Sequence, residues 1–189
     1  MHMSDHKVRL FTAVRIPDEI KNKLHQWMEH HKDQLPFRNR THQEDYHITL
    51  QFLGDTDPAV LDKLHEALQE AANQVQPFPL KIGEPGVFGS ERAPRVLWRG
   101  VEGELDSLFS LQQSIVQSTL PLGFVPEERP YRPHITTARK FNQERLGSFN
   151  LSELMDGVWD DTWLVEGFVL YKTNMGQKPM YEMIGKYDL

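Results

Sequence analysis

The sequence predicts an α+β fold built mainly from antiparallel sheet. Segments with strand patterning alternate with segments of helical periodicity along the first half of the 189-residue chain. Two strand-like segments separated by a hairpin-type loop follow near its end. The Gly-x-Gly-x-x-Gly and Walker loops that are typical of doubly wound nucleotide-binding folds are absent from the sequence. These three observations favour α+β over a doubly wound architecture.

The predicted strands are runs of β-branched and aromatic residues that end at turn residues. The first run stops before Pro17, and the run that begins at His47 stops at a Gly-Asp turn. The segment that contains Arg38 and Arg40 is predicted to be a polar connection, and 174–179 suits a hairpin loop. The predicted strands are 9–16, 47–53, 80–88, 96–101, one that begins at His134, 162–171 and 180–186.

The predicted helices have apolar residues at spacings of three, four and seven. Pro36 ends the first helix, whereas Asp57 and Pro58 form the N-cap and first turn of the second. Leucines and β-branched residues recur at helical spacing in the third. The predicted helices are 18–35, 58–75, 104–119 and a short one at 144–155.

Composition and charge exclude several classes of protein. The chain has no cysteine, which excludes disulfides, thiol catalysis and cysteine-ligated metals. The formal net charge of −6 argues against extensive binding of duplex nucleic acid, although it allows a small phosphate pocket. No apolar run approaches the roughly 20 residues that span a bilayer, and residues 1–16 lack a signal-peptide pattern. The sequence therefore predicts a cytoplasmic monomer without membrane contact or an obligatory protein partner.

Two short His-x-Thr motifs are the strongest functional signal in the chain. One is His47-Ile-Thr49 and the other is His134-Ile-Thr136. Alternate residues of a strand share a face, so each imidazole is predicted to stand beside a threonine hydroxyl. The opposite, apolar face of the first motif strand is predicted to consist of Ile48, Leu50 and Phe52.

Two imidazoles can act as an acid and base pair. Histidine has an ordinary pKa near 6.5, so one ring can be neutral while the other is protonated at pH 7. In-line displacement at phosphorus needs both forms, one to activate water and one to protonate the departing sugar oxygen. The hydroxyls of Thr49 and Thr136 can donate to phosphate oxygens, and Arg139 can supply a positive charge. This chemistry requires no metal.

A structural role in the strands is one alternative for the two histidines and their threonines, and a metal site is another. A third ligand would be needed, and only His42 lies near the first motif in sequence. The predicted first helix also contains His25, His30 and His31, but their spacing is not the His-Glu-x-x-His of metalloproteases. An acid and base pair is the preferred interpretation.

The two motifs resemble the paired signatures of the two-histidine (2H) phosphoesterases. The resemblance extends over His47-Ile-Thr-Leu-Gln-Phe-Leu-Gly-Asp55 and Pro133-His-Ile-Thr-Thr-Ala-Arg-Lys140, and it is strongest to the RNA 2',3'-cyclic phosphodiesterases, formerly called 2'-5' RNA ligases. The stretches Arg9-Leu-Phe-Thr-Ala-Val14 and Val96-Leu-Trp-Arg-Gly-Val101 are also similar to that family. One departure is Thr137, where the family usually has an apolar residue, and we expect a looser core contact there.

The resemblance implies a fold and a set of roles. The fold would be a single bilobal domain over 1–189 with pseudo-twofold symmetry, in which two sheets face a central cleft, helices lie outside and each lobe carries one motif, 47–50 or 134–137. His47 would be the proton donor and His134 the proton acceptor, while Thr49 and Thr136 would contact the phosphate. No cofactor is expected.

These inferences together predict hydrolysis of an RNA 2',3'-cyclic phosphate end to a 2'-phosphate. Arg139 is expected to bind the phosphate, and Phe11 or Tyr131 is expected to stack on the terminal base. Three alternatives remain open from the sequence: activity on small cyclic nucleotide phosphates, reversible 2'-5' joining of RNA ends, and non-catalytic binding of RNA ends.

Overall fold

Residues 6–189 fold into two antiparallel sheets and three α-helices. The computed structural model describes residues 6–189, so residues 1–5 of the predicted 1–189 domain lie outside the described part. The strands are β1 (Val8–Arg15), β2 (Phe37–Arg40), β3 (His47–Thr56), β4 (Phe78–Gly89), β5 (Pro94–Gly103), β6 (His134–Phe141), β7 (Thr162–Val165), β8 (Gly167–Thr173) and β9 (Tyr181–Asp188). The helices are α1 (Asp18–His30), α2 (Leu61–Ala72) and α3 (Leu105–Thr119). The predicted α+β class with mainly antiparallel sheets is confirmed.

The two sheets combine strands that are far apart in sequence. The first sheet has the order β3-β1-β8-β9, and the second has the order β2-β6-β5-β4-β7. All strand pairs in both sheets are antiparallel. The strand with His47 therefore lies at one edge of the first sheet, whereas the strand with His134 lies inside the second.

One large apolar core joins both sheets and the three helices. Each helix contributes its buried stripe, with Leu24 from α1, Leu68 from α2 and Leu111 from α3 fully excluded from water. A second, smaller cluster lies apart from this core in the first sheet and consists of Phe11, Ala13, Val169 and Tyr171, with Tyr181 against it. Because successive side chains of a strand alternate, this small cluster occupies the sheet face opposite the main core.

A buried cation connects the second sheet to the segment after residue 155. The guanidinium of Arg99 is fully excluded from water and donates to the Gly83 carbonyl at 2.9 Å. It also donates to Asp156 Oδ1 at 2.8 Å and to the Gly157 carbonyl at 3.2 Å. Its central carbon lies 4.8 Å from the Trp27 ring centre and 4.4 Å from that of Trp159. The buried charge of Arg99 is therefore stabilised by one carboxylate, two backbone carbonyls and two aromatic rings.

Most predicted strands and the third helix are confirmed within a few residues. The hairpin loop before β9 is also confirmed, because β8 and β9 are adjacent antiparallel strands. The Asp57 cap is confirmed as well, since its carboxylate accepts from the Ala59 N–H at 3.0 Å, although a 3₁₀ turn, Pro58–Val60, precedes α2. The first helix ends five residues before the predicted 35, with a 3₁₀ turn at Lys32–Gln34. Among the described residues, no helix is both long and apolar enough to cross a membrane.

Three element predictions are wrong. The supposed polar connection near Arg38 is the edge strand β2, whose single buried residue, Phe37, gives too little apolar pattern to reveal a strand. The predicted helix 144–155 is replaced by the 3₁₀ turns Gln143–Arg145 and Leu151–Leu154, because Gly147 between them has a φ of 85°. The single strand 162–171 is two strands in different sheets, β7 and β8, with only residue 166 between them.

Candidate active site

Each motif sits on a strand that bulges at the motif's fourth residue. In the pairing of β1 with β3, Thr12 lies opposite Gln51 and the next residue, Ala13, lies opposite Thr49. Leu50 is therefore an extra residue of β3 without a partner in β1. In the pairing of β5 with β6, Leu97 lies opposite Ala138 and Trp98 lies opposite Thr136, so Thr137 is an extra residue of β6. These β-bulges lie at the same place relative to each histidine. A bulge reverses the alternation of side chains beyond it.

The bulge brings the fifth residue after each histidine onto the histidine's own face. In a regular strand, residues five apart point to opposite sides of the sheet. Here Phe52 pairs with Phe11 on the face of His47, and Arg139 pairs with Val96 on the face of His134. Arg139 therefore lies on the same face of β6 as His134.

The same bulge contradicts the prediction that Phe52 lies on the apolar core face. Phe52 is 53% exposed, whereas Gln51, expected on the other face, is only 6% exposed. Ile48 and Leu50 are buried as predicted. At the second bulge, Thr137 is fully buried and its hydroxyl donates to the Leu97 carbonyl at 3.2 Å. The looser contact expected from Thr137 is therefore wrong, because a backbone acceptor satisfies its hydroxyl.

Both imidazoles are held in the same way by the backbone. Nδ1 of His47 lies 2.7 Å from the Asp45 carbonyl, and Nδ1 of His134 lies 2.7 Å from the Arg132 carbonyl. A carbonyl only accepts, so each neutral ring carries its hydrogen on Nδ1 and presents the lone pair of Nε2. Nε2 of His47 accepts from the Thr49 hydroxyl at 2.9 Å. Both imidazoles are thus held in a fixed orientation.

Aromatic rings surround both histidines. The His47 ring centre lies 4.9 Å from Phe11 and 5.2 Å from Tyr181, which meets it at 90°. The His134 ring centre lies 4.8 Å from Phe88, at 88°, and 6.2 Å from Trp98. These contacts limit rotation of each imidazole and reduce its access to water.

The surroundings favour neutral imidazoles in the free protein. Removal from water lowers the pKa of His47 to about 4, against the opposing effects of the Asp45 carbonyl and carboxylate. The positive charges of Arg139 and His134 contribute to this lowering of the pKa. Removal from water also lowers the pKa of His134, and Arg139 and Arg132 act in the same direction. The two histidines and Arg139 therefore share one electrostatic environment.

Two further contacts assemble the site. The Tyr131 hydroxyl, three residues before His134, donates to the Thr49 carbonyl at 2.7 Å and so links the approach to β6 with β3. The buried Asp45 carboxylate accepts from the N–H groups of Met180 and Tyr181, at 2.9 and 3.2 Å. Asp45 thereby places Tyr181 against His47. The sequence signal for this contact is an acidic residue, Asp45, two positions before a motif histidine. Residue type alone reveals neither its burial nor its partners.

The positions of Phe11 and Tyr131 do not favour the predicted stacking on a base. Phe11 is only 5% exposed and lies against the His47 ring, so too little of its face is free for a base. Tyr131 is half-buried, its hydroxyl is engaged with Thr49, and its ring meets Phe109 edge-on at 5.7 Å. Both aromatic residues instead support the motif strands.

The part of the chain that the structure describes gives no support to the alternative of a metal site. Between residues 6 and 189, no three or more His, Asp or Glu side chains are grouped so that they could hold a metal ion. Nδ1 of His42 instead accepts from the Glu44 N–H at 3.1 Å and caps the 3₁₀ turn before β3.

Comparisons with known proteins identify the family to which this chain is similar. A family model described as LigT-like phosphoesterase matches residues 14–98. An RNA 2',3'-cyclic phosphodiesterase of Bacillus subtilis (strain 168) is 36% identical over 187 residues, which are 99% of this chain and 100% of that protein. The chain belongs to the LigT-like phosphoesterase family. The resemblance seen in the two motifs is therefore confirmed.

One further relative is similar in sequence, and solved structures are similar in fold. An RNA 2',3'-cyclic phosphodiesterase of Geobacillus stearothermophilus is 38% identical over 95% of this chain, but the chain spans only 56% of that relative's length. A crystal structure of a Thermus thermophilus protein superposes with a TM-score of 0.75 at 27% identity, covering 96% of this chain and 97% of the other. The crystal structure of E. coli LigT in complex with 3'-AMP superposes with a TM-score of 0.75 at 24% identity, covering 97% of this chain and 99% of the other. The two proteins share the fold.

Proposed function

We propose that this chain hydrolyses the 2',3'-cyclic phosphate at an RNA end to a 2'-phosphate. The observation that carries the proposal is the pair of His-Thr sites, each with Nδ1 bonded to a backbone carbonyl and Nε2 presented at the catalytic face. The names of the B. subtilis and G. stearothermophilus relatives support the choice of substrate. The proposal treats residues 1–189 as one bilobal, monomeric, cytoplasmic unit with motifs at 47–50 and 134–137.

The proposed reaction moves two protons. Nε2 of His134 takes a proton from water as the water oxygen bonds to phosphorus, and protonated His47 gives its Nε2 proton to the 3' oxygen as the bond from phosphorus to that oxygen breaks. Thr49 Oγ1 lies 2.9 Å from His47 Nε2, so a phosphate oxygen bonded to Thr49 lies beside the transferable proton. Thr136 and Arg139 stabilise the charge that develops on the other phosphate oxygens.

Bound substrate raises the pKa of His47, so that this histidine can be protonated and donate a proton. In the free protein the pKa of His47 is lowered to about 4, which leaves it neutral at pH 7 and unable to donate a proton. A bound phosphate anion offsets the charge of Arg139 and raises the pKa of a nearby imidazole. Proton donation by His47 is therefore coupled to occupation of the phosphate site.

Product analysis tests the proposed function. An RNA oligonucleotide with a 2',3'-cyclic phosphate end should be converted to the 2'-phosphate, and the position of the phosphate can be read by ³¹P NMR or by separation against both synthetic isomers. A 3'-phosphate product would contradict the proposed direction of ring opening. Binding without turnover would favour the non-catalytic alternative, and ligation of two RNA ends would favour 2'-5' joining.

The pH dependence should report the two lowered pKa values. The free enzyme must hold one proton on the pair, and the pKa values of both His47 and His134 lie below the ordinary 6.5. We therefore expect kcat/KM to follow a bell whose maximum lies below about pH 6.5, with a decline as the pH rises through neutrality. The kcat profile should extend to higher pH, because bound phosphate raises the pKa of His47. A kcat/KM maximum above about pH 8 would contradict this arrangement.

A further inference from the structure

Three cationic side chains line an open pocket at one end of the second sheet. The pocket has a volume of about 390 Å³, and its lining includes Arg95, Val96, Arg139, Lys140, Phe141 and Gln143. No acidic residue is part of the lining. We call this the distal cationic pocket. Its residues come from β5, from β6 and from the 3₁₀ turn after β6.

The cations of the distal cationic pocket are not neutralised by carboxylates. None of the six salt bridges within residues 6–189 involves Arg95, Arg139 or Lys140. The chain as a whole has a net charge of −6, so acidic partners are not scarce. Three unpaired like charges around one depression repel each other, and an anion would relieve that repulsion.

The backbone at Lys140 is strained in a way that points to function. Its φ is 61°, and no other non-glycine residue in the described part of the chain has a positive φ. Lysine rarely adopts this left-handed conformation, because its Cβ crowds the backbone. Such strain concentrates at sites where a side chain must be aimed at a ligand. Arg95 runs across Gly89, where a Cβ would come within 3.4 Å of its Nε, so the glycine leaves room for this side chain.

Arg139 connects the distal cationic pocket to the catalytic cleft. It lines the pocket, and its positive charge also acts to lower the pKa values of His47 and His134. Lys140 is four residues beyond Thr136, and because Thr137 is the extra residue of the bulge, the two are separated by about three strand residues, or about 10 Å. A cyclic phosphate bound at the two histidines does not span this distance. The ribose-phosphate chain on its 5' side does.

We propose that the distal cationic pocket binds a backbone phosphate of the RNA upstream of the cyclic end. This inference rests on the proposed function and specifies its substrate as an oligonucleotide, because a mononucleotide cannot occupy the catalytic site and Lys140 together. Binding through phosphate groups alone carries no base preference. The pocket would thus select for chain length and not for sequence.

The test compares long and short ligands in Lys140→Gly and Arg95→Ala. For an RNA trinucleotide with a cyclic phosphate end, we expect each variant to lower kcat/KM about tenfold, the loss typical of one charge-assisted phosphate contact. For a mononucleoside 2',3'-cyclic phosphate, kcat/KM should change less than about twofold. Lys140→Gly should also raise Tm, because glycine removes the strain at a positive φ. Lys140→Arg retains the charge and should retain the preference for the trinucleotide, and Lys63→Ala, an exposed lysine of α2, is the matched control.

A binding measurement separates this inference from the proposed function. A 5'-fluorescein trinucleotide that already ends in a 2'-phosphate needs no turnover, and its affinity can be followed by anisotropy over a range of salt concentrations. Loss of one phosphate contact should reduce the slope of log K against log[salt] by about 0.7. Unchanged affinity and an unchanged slope in both Lys140→Gly and Arg95→Ala would overturn the inference, whereas absence of hydrolysis by the wild type would overturn only the proposed function.

Discussion

His47→Ala and His134→Ala are each expected to lower turnover of a cyclic-phosphate RNA by about 10² to 10⁴-fold, the usual contribution of one positioned proton transfer. Each substitution removes a ring that a backbone carbonyl and aromatic neighbours hold in place. Turnover is measured with the cyclic-phosphate oligonucleotide, and folding is checked by circular dichroism. The matched control is His25→Ala, because His25 is an exposed histidine of α1 away from both motifs. Turnover within about threefold of wild type for either motif variant would contradict the proposed pair.

A change of leaving group should distinguish the two histidines. If His47 protonates the departing oxygen, a phosphodiester that releases 4-nitrophenolate needs little help, because that anion is a much weaker base than a ribose alkoxide. We therefore expect such a substrate to restore most of the activity of His47→Ala but not that of His134→Ala, which still lacks the base. Rescue of His134→Ala instead would reverse the assigned roles. A chelator should leave wild-type turnover unchanged.

Asp156→Ala is expected to have the largest effect on stability. It leaves the fully buried guanidinium of Arg99 without its carboxylate, with only the carbonyls of Gly83 and Gly157 as acceptors. Breaking a buried ion pair typically costs about 3–5 kcal/mol, and the partial exposure of the Asp156 side chain, 35%, favours the lower end, about 3 kcal/mol. For a domain of this size we expect Tm to fall by roughly 6–12 °C. Thermal and urea unfolding measure both quantities.

A surface ion pair provides the control for Asp156. The side chains of Arg129 and Glu127 lie 3.3 Å apart and are 82% and 63% exposed, so Glu127→Ala should change the free energy of unfolding by less than about 0.5 kcal/mol. Equal effects of Asp156→Ala and Glu127→Ala would show that the buried pair contributes no more than the exposed one. Arg99 pairs across the sheet with Ile135, between His134 and Thr136, so the less stable variant should also lose turnover on mild heating.

The sequence was most informative where a local pattern sufficed. Strand alternation placed His47 and Thr49 on one face, and two equivalent motifs indicated paired imidazoles. Alternation failed beyond Leu50 and Thr137, because a β-bulge depends on the partner strand and leaves no reliable mark in residue type. Phe52 was therefore assigned to the wrong face, and the spacing of Arg139 did not by itself explain how it reaches the site.

Contacts between distant segments could not be predicted. The hydroxyl of Tyr131 reaches the Thr49 carbonyl, and Asp45 accepts from the backbone of Met180 and Tyr181. Each contact joins residues more than 80 positions apart. Burial of Phe11 likewise depends on β8 and β9, which contribute Tyr171 and Tyr181 beside it. Periodicity identifies a buried face but not the segment that covers it.

The pairing of β1 with both β3 and β8 has a consequence for biosynthesis. On the ribosome, β1 and β3 can meet early, but the first sheet stays incomplete until β8 and β9 emerge about 150 residues after β1. The contact of Tyr181 with His47 and the contacts of Asp45 with Met180 and Tyr181 form only at that point. We therefore expect nascent chains stalled before β8 to remain sensitive to protease and without activity, although both motifs have already been translated.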